Sequence, residues 1–300
     1  MPRKLISFDW AMKKLLRSKA NFEILEGFLS ELLKDDIRIL EILESGSNRN
    51  SNQDKSNQVD LKVKNQKGEI IIIEVQYQRE YDYLRRILFG TSKVITEHLN
   101  KSEPYSKVIK VISVNILYFN LGQGVDYIYY GMTSFQGLHH QDILDLSKEQ
   151  KALYQKHKIQ EIFPEYYLIK VNSFDNMAKD TLDEWIYFLK NEEIKEDFKA
   201  KGLKKAQQEL DILKLPEQER LAYERYQDDL HYQASMVESS YTIGVKKGMK
   251  KGVRKSKEEG KKEQAIEIAR NLLNADVLDT QMIAQMTGLT LKEIEKMKLL

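Results

Sequence analysis

The sequence predicts an α/β fold, in which a mixed-sheet core is flanked by helices and followed by an all-helical C-terminal extension. Residues 59–76 have the pattern of a β-hairpin, and further β-branched stretches follow it after a helical one. From Asp175 onward the apolar residues recur at helical spacing. A chain of 300 residues with 41% hydrophobic content is long enough for this core and a smaller second part.

The hairpin pattern is the most informative stretch of the chain. Apolar and polar residues alternate over residues 59–64, as in a half-buried strand. Residues 70–73 are four consecutive isoleucines, which suits a strand covered on both faces. Between them, residues 66–68 fit a three-residue loop in which Gly68 takes the left-handed conformation.

This loop length predicts which side chains meet across the hairpin. Asn65 is placed opposite Glu69, and Asp60 opposite Glu74. Two directly opposed carboxylates repel each other unless a cation such as a hard divalent ion neutralises them. A two-residue loop would turn Asp60 to the other face and remove this site. Two interpretations stay open: a metal site, slightly favoured because Glu74 ends an apolar run, or the polar fringe of an ordinary hairpin.

The other elements are predicted from the spacing of apolar residues. The predicted strands cover residues 37–43, where Leu40 is expected to be buried, and residues 108–119, 125–135 and 166–171, giving five or six strands with the hairpin. The predicted helices cover residues 8–17, 21–34, 80–100 and 216–233, and an apolar stripe of Leu182, Trp185, Ile186 and Leu189. The helix over 80–100 is expected to face the sheet with Tyr81, Leu84, Leu88, Ile95 and Leu99. Residues 45–57 are predicted to be a loop.

The charge of the chain is concentrated near its C-terminus. The net charge is +2, but residues 244–262 carry nine Lys or Arg and two Glu, so the rest of the chain is negative. Glycines at four-residue spacing line one face of this segment, with Ser256 in the missing slot: Gly244, Gly248, Gly252 and Gly260. This pattern favours a linker helix or a dimer seam over a dedicated nucleic-acid arm.

The last residues predict two short helices joined at residues 287–289. The arrangement resembles a helix-turn-helix, but Glu293 and Glu295 give the second helix a poor surface for DNA phosphates. We therefore expect a helical hairpin that packs or dimerises.

Composition also excludes several classes of protein. The chain has no cysteine, which rules out disulfides and Cys-ligated zinc. The N-terminus lacks the apolar run of a signal peptide, and the most apolar stretch, residues 108–121, carries Lys110 and other polar residues. The sequence thus predicts a cytoplasmic protein with no membrane partner.

Several motifs together resemble one known family, the PD-(D/E)XK nuclease family transposases, also called recombination-promoting nucleases. The residues that carry the resemblance are Phe8, Asp9, Lys13, Asp60, Gly68, Glu74, Val75, Gln76, Arg86 and the segment 287–289. The resemblance implies a restriction-endonuclease-like fold and Mg²⁺-dependent cleavage of DNA, with Mn²⁺ as an alternative ion. It divides the chain into a nuclease core over 1–175, a helical cap over 176–235, and the basic glycine-repeat helix with its hairpin over 236–300.

The resemblance also implies roles for individual residues. Asp60, Glu74 and the backbone carbonyl of Val75 would hold the metal ion, and Gln76 would be catalytic by orienting the attacking water or the phosphate. Gln76 stands where the wider superfamily has lysine, Met12 where the family more often has an aromatic residue, and Gly90 where tyrosine is common.

Four basic residues are expected to bind nucleic acid: Arg86, Arg85, Lys62 and Lys13. Lys62 lies two residues after Asp60 and is also a candidate to replace the missing lysine. Phe8 and Asp9 belong to the family motif without an assigned role.

Two functions from different classes follow. The first is a DNA endonuclease that promotes recombination or mobile-element activity. The second is a catalytically inactive protein on the same fold that binds DNA or forms homo-oligomers through its C-terminal helices. RNA stays open as a substrate of the first, because a phosphodiester site does not itself distinguish the two sugars.

Overall fold

The structure is a computed structural model that describes residues 5–43, 60–275 and 278–298. The chain divides into two compact units, Met1–Gln227 and Asp228–Leu300. The predicted loop over residues 45–57 lies outside the described residues, and the predicted boundaries at residues 175 and 235 stay predictions.

A mixed sheet forms the centre of the first unit. Its described strands are β1 (Ile39–Ile42), β2 (Leu61–Asn65), β3 (Ile70–Gln76), β4 (Val111–Leu117), β5 (Ile128–Gly131) and β6 (Glu165–Lys170). The strand order is β1-β2-β3-β4-β6-β5. The pairs β3–β4 and β4–β6 are parallel and the others antiparallel. The predicted α/β class with a mixed sheet and flanking helices is confirmed.

Helices cover both faces of this sheet. The helices of the first unit are α1 (Phe8–Lys14), α2 (Phe22–Leu33), α3 (Tyr83–Glu97), α4 (Lys148–Tyr154), α5 (Thr181–Asn191) and α6 (Leu203–Glu209), and α7 (Glu217–Ala275) begins in this unit. Ile71, Ile73 and Val75 belong to the large apolar core, together with Phe8 of α1 and Trp185 of α5. The four isoleucines of β3 are buried because the alternate ones, with Val94 of α3, form a second core on the opposite face.

The hairpin has the register that its sequence predicts. Leu61 pairs with Ile73 and Lys64 with Ile70, so one further step toward the strand ends places Asp60 opposite Glu74. Gly68 has a φ of +75°, a left-handed conformation that costs glycine little because it has no Cβ. The loop length therefore sets the register, as expected from residues 66–68.

The orientation of α3 differs from the prediction. Tyr81, Leu84 and Leu88, which were expected to face the sheet, are exposed at 87%, 54% and 58%. The helix instead buries Tyr83, Ile87, Thr91 and Val94. Polar contacts explain the difference, because the Tyr83 hydroxyl donates to Asn115 Oδ1 at 3.0 Å and Arg86 is ion-paired with Glu74, which turns this face toward β3 and β4.

Several predicted boundaries also need correction. The strands predicted over residues 108–119 and 125–135 are shorter in the structure, and Leu40 of β1 is 55% exposed instead of buried. The helix predicted to end near residue 233 continues to Ala275. No proline interrupts the chain after Pro216, so no residue of that kind ends the helix earlier.

The second unit contains most of α7, from Asp228 onward, followed by α8 (Thr280–Thr287) and α9 (Leu291–Lys298). Ala269, Ile283, Leu289 and Ile294 form its small apolar core. Gly288 ends α8 with a φ of +71°, and Asp279 begins it by accepting a hydrogen bond from the Met282 amide at 2.7 Å. The predicted pair of short helices is confirmed. Across the described residues, no helix combines the length and the apolar composition of a bilayer span.

Candidate functional site

Asp60 lies at the end of the hairpin opposite the loop, where two groups hold its carboxylate. Its Oδ2 accepts a hydrogen bond from the Val75 amide at 2.7 Å, and its Oδ1 lies 3.5 Å from Lys13 Nζ. Burial raises the pKa of Asp60, and the Lys13 ammonium opposes that rise. Asp60 directly precedes β2, and its side chain is therefore held against the backbone of β3 at Val75.

Glu74 is the buried acidic residue on the neighbouring strand. It is 7% exposed and accepts a hydrogen bond from Arg86, whose Nη1 also lies 2.7 Å from Glu80 Oε1. Burial raises the pKa of Glu74 to about 7; Arg86 lowers it, while the charges of Asp60 and Glu80 raise it further. A carboxylate in this setting stays ionised at neutral pH only with help from a cation.

The donor set at this end of the hairpin fits a hard divalent ion. The Gln76 carbonyl accepts from the Tyr118 amide, so the backbone of Gln76 faces β4, and that of Val75 faces the opposite edge, where Asp60 lies. Two carboxylates and one carbonyl are oxygen ligands of the type that Mg²⁺ and Ca²⁺ prefer. Among the residues that the structure describes, no three His, Cys, Asp or Glu side chains are grouped so that they could hold a metal ion. The candidate set is therefore limited to two carboxylates and a backbone oxygen.

Gln76 lies on the same face of β3 as Glu74, two residues further on. Its Nε2 donates to Glu80 Oε1 at 2.9 Å and to the Gln78 carbonyl at 3.3 Å. Both bonds use the amide nitrogen, so Glu80 fixes the orientation of the side chain and leaves the amide oxygen as its acceptor group.

The family-motif residues of α1 divide between the core and the site. Phe8 packs edge-to-face against Phe28 with ring centroids 5.4 Å apart. Asp9 is 2% exposed and holds Lys13, whose Nζ lies 2.8 Å from Asp9 Oδ1. Burial lowers the pKa of Lys13, but the carboxylates of Asp9 and Asp60 raise it above its ordinary value. Lys13 is therefore brought to Asp60, whereas Phe8 supports the helix.

The structure places the other predicted basic residues differently. Lys62 shares a face with Glu74, but its side chain is 6% exposed and its Nζ lies 3.3 Å from Glu97 Oε2. Arg85 is exposed on α3, and Arg86 is half-buried at the carboxylates. Arg86 and Lys13 are thus the two predicted cations that the structure brings into contact with the predicted ligands.

Three residues of the candidate site were not identified from the sequence. Glu80 binds both Gln76 and Arg86; it was expected as the first residue of a helix, but it precedes α3, which begins at Tyr83. The Arg17 Nη2 donates to the Asp60 carbonyl at 3.0 Å. The Tyr226 hydroxyl donates to Asp9 Oδ2. Arg17 and Tyr226 reach the site only through tertiary folding, which no local pattern could reveal.

The fold and these contacts define a class: an α/β nuclease-fold protein with acidic residues at one end of a central hairpin. The chain belongs to the PD-(D/E)XK nuclease family transposases, because the model of that family matches residues 6–240 of its 300. The resemblance stated from the sequence is confirmed. Neither curated proteins nor solved structures gave a match.

Proposed function

We propose that the protein is a metal-dependent DNA endonuclease that hydrolyses phosphodiester bonds. The observation that carries the proposal is the hydrogen bond from the Val75 amide to Asp60, because it anchors the acid of one strand beside the acid of the next. Asp60, Glu74 and the Val75 carbonyl would hold Mg²⁺, with Mn²⁺ as the alternative ion.

In this reaction a water oxygen forms a bond to phosphorus, the bond from phosphorus to one sugar oxygen breaks, the attacking water loses a proton to solvent, and the leaving sugar oxygen takes a proton from solvent to become a hydroxyl. The bound ion would supply a Lewis acid and lower the pKa of water. Gln76, whose amide nitrogen is held by Glu80, leaves its oxygen to accept a hydrogen bond from the attacking water. Arg85 is exposed next to the site and would contact the DNA backbone, and Arg86 would do so if it leaves Glu74.

A second function is a catalytically inactive protein that binds DNA or oligomerises through its C-terminal helices. One observation favours it: Lys13 and Arg86 already neutralise Asp60 and Glu74. Both carboxylates therefore already have cationic partners within the protein, so the arrangement does not by itself require a metal ion. The proposed role in recombination or mobile-element activity applies to the endonuclease and not to the inactive protein.

A plasmid-cleavage assay separates these two functions. Purified protein is incubated with supercoiled DNA in Mg²⁺, in Mn²⁺ and in excess chelator, beside Asp60→Asn, which keeps the shape of the side chain and an acceptor for the Val75 amide. We expect nicked or linear product from the wild type with a metal ion and from neither control. DNA binding without cleavage under all conditions would leave the second function, and cleavage of an RNA strand in place of DNA would change the substrate.

A further inference from the structure

Helix α1 presents one ammonium group to the predicted metal ligands. Lys13 Nζ lies 3.5 Å from Asp60 Oδ1, and its side chain is 40% exposed, so a molecule arriving from solvent can reach it. The other lysine considered for this place, Lys62, is 6% exposed and ion-paired with Glu97. Lys13 is therefore close to Asp60 and accessible to solvent. Lys62 lies on the same face of the sheet as Glu74, but its side chain is buried.

Two residues hold Lys13 in this position. Asp9 Oδ1 lies 2.8 Å from Lys13 Nζ, and Asp9 is 2% exposed. The Tyr226 hydroxyl donates to the other oxygen of Asp9, and the Tyr226 ring lies 5.9 Å from the Lys13 ammonium. The buried carboxylate of Asp9 is hydrogen-bonded at one oxygen and ion-paired with Lys13 at the other, so it restrains the position of the ammonium group.

The charges and the exposure of Asp9, Lys13 and Asp60 indicate a role for Lys13 beyond a structural ion pair. Asp9 and Asp60 are two carboxylates around a single ammonium group, so Lys13 is more than neutralised by the protein itself. If Lys13 only satisfied Asp9, burying both together would suffice, yet its side chain is left 40% exposed. An exposed cation fixed beside a phosphodiester site is suited to a phosphate oxygen whose negative charge grows during the reaction.

We propose that Lys13 is a catalytic residue of the endonuclease, which binds a non-bridging oxygen of the attacked phosphate, and that Asp9 and Tyr226 are positioning residues for it. This inference rests on the proposed function. Lys13 takes no proton in this role. It acts as a fixed positive charge 3.5 Å from Asp60 Oδ1, one of the proposed metal ligands.

The test compares steady-state cleavage by Lys13→Met and Lys13→Arg with that by Lys14→Met. Lys14 is exposed on the same helix and is the matched control. We expect Lys13→Met to lower kcat by about 10²–10³-fold with KM changed less than about threefold, the range for removing one transition-state contact. Lys13→Arg is expected to restore part of kcat, and Lys14→Met to match the wild type.

The loss of Lys13 leaves Asp9 as a buried carboxylate without its cation, so the variant could fail to fold. The double variant Asp9→Asn/Lys13→Met removes both charges and is measured in the same way. If Lys13→Met or the folded double variant cleaves as fast as Lys14→Met while Asp60→Asn is inactive, the inference is overturned and the proposed function survives. If the wild type cleaves nothing with Mg²⁺ or Mn²⁺, both fail together.

Tyr226→Phe separates positioning from a general effect on folding. The change removes the hydroxyl that donates to Asp9 and keeps the ring. We expect kcat to fall by about tenfold with KM unchanged, and to fall no further when Tyr226→Phe is added to Lys13→Met, because the two residues act through one contact. Independent, multiplying losses in the double variant would overturn the positioning role.

Discussion

Each end of the β2–β3 hairpin holds a buried glutamate, and the two ends differ in what lies opposite. At the loop end, Asn65 Nδ2 donates to Glu69 Oε2 at 2.9 Å, and Asn65 Oδ1 accepts from the Glu69 amide at 2.9 Å. At the other end, the step that follows the Leu61–Ile73 pair brings Asp60 to Glu74, and the charge of Asp60 raises the pKa of Glu74, so two acidic groups are neighbours. A neutral amide completes the first pair, whereas the second pair needs cations from other helices.

This difference shows how to distinguish a structural polar pair from a candidate site on the same two strands. At the loop end, Asn65 hydrogen-bonds Glu69 within five residues of sequence, and among the described residues the cation paired with Glu69 is Lys156, 3.7 Å away in a partly exposed ion pair. The acidic end depends on Lys13 of α1 and Arg86 of α3, and burial holds the pKa of Glu74 near 7. An arrangement that costs stability by itself is expected where function requires it.

The largest expected effect is on cleavage by the two matched glutamine variants. We predict that Glu74→Gln lowers the single-turnover rate by about 10²–10³-fold, because it removes a charged ligand of the proposed ion. Glu69→Gln should leave the rate within about threefold of wild type, since its amide partner remains. Equal losses in both variants would show that the two ends do not differ in function.

Removing the cation at each end should have unequal effects on stability. Arg86→Met leaves Glu74 buried without its guanidinium partner, and we predict a loss of about 2 kcal/mol in the free energy of unfolding near pH 8. Lys156→Met, which removes a cation 3.7 Å from Glu69, should cost less than about 1 kcal/mol. Urea denaturation of both variants measures the difference, and a larger loss at Lys156 would contradict the comparison.

The pH dependence of stability should also reveal the acidic end. The pKa of Glu74 is raised from 4.5 to about 7, so the folded state binds a proton at this group more tightly than the unfolded state does. Its contribution to stability is present in full below about pH 4.5 and is lost as the pH rises through about 7. Relative to Glu74→Gln, we expect the metal-free wild type to lose up to about 3 kcal/mol over this range. If the free energies of unfolding of the wild type and Glu74→Gln change with pH in the same way, the prediction is wrong.

The smallest expected effect is at the loop that sets the register. Gly68→Ala introduces a Cβ at a φ of +75°, and we predict a loss of about 1 kcal/mol in the free energy of unfolding with cleavage unchanged. Gly90→Ala is the matched control of opposite sign, because Gly90 lies inside α3 with open space around it and alanine favours a helix by about 1 kcal/mol. Thermal unfolding of both variants provides the measurement, and a loss of cleavage in Gly68→Ala would mean that the loop does more than set the register.

The hairpin could be predicted from sequence because its information is local. The alternation before Gly68, the isoleucines after it and the loop length together determined the register that places Asp60 opposite Glu74. The orientation of α3 could not be predicted in the same way. Its most apolar stripe includes Leu84 and Leu88, which are exposed, because ion pairing at Glu74 and the hydrogen bond of Tyr83 decide which face turns inward.

Only the acidic residues of the candidate site could be placed together from the sequence; the contacts of Lys13 and Tyr226 could not. Asp60 and Glu74 are 14 positions apart on one hairpin, whereas Tyr226 meets Asp9 across 217 positions of sequence. Lys13 was expected to contact nucleic acid, but its distance to Asp60 depends on how α1 packs under the sheet. Contacts between distant elements need the folded core, and no periodicity in the sequence encodes them.

The packing of Trp10 offers a spectroscopic view of this helix. The chain has two tryptophans, Trp10 and Trp185, and both are buried in the unit Met1–Gln227. Trp10 lies on α1 three positions before Lys13, and its ring is 5.4 Å from that of Tyr223. Indole emission therefore reports the unfolding of the first unit without a signal from the second. Any ligand that displaces α1 would change the emission of a fluorophore already built into the same helix as the proposed catalytic cation.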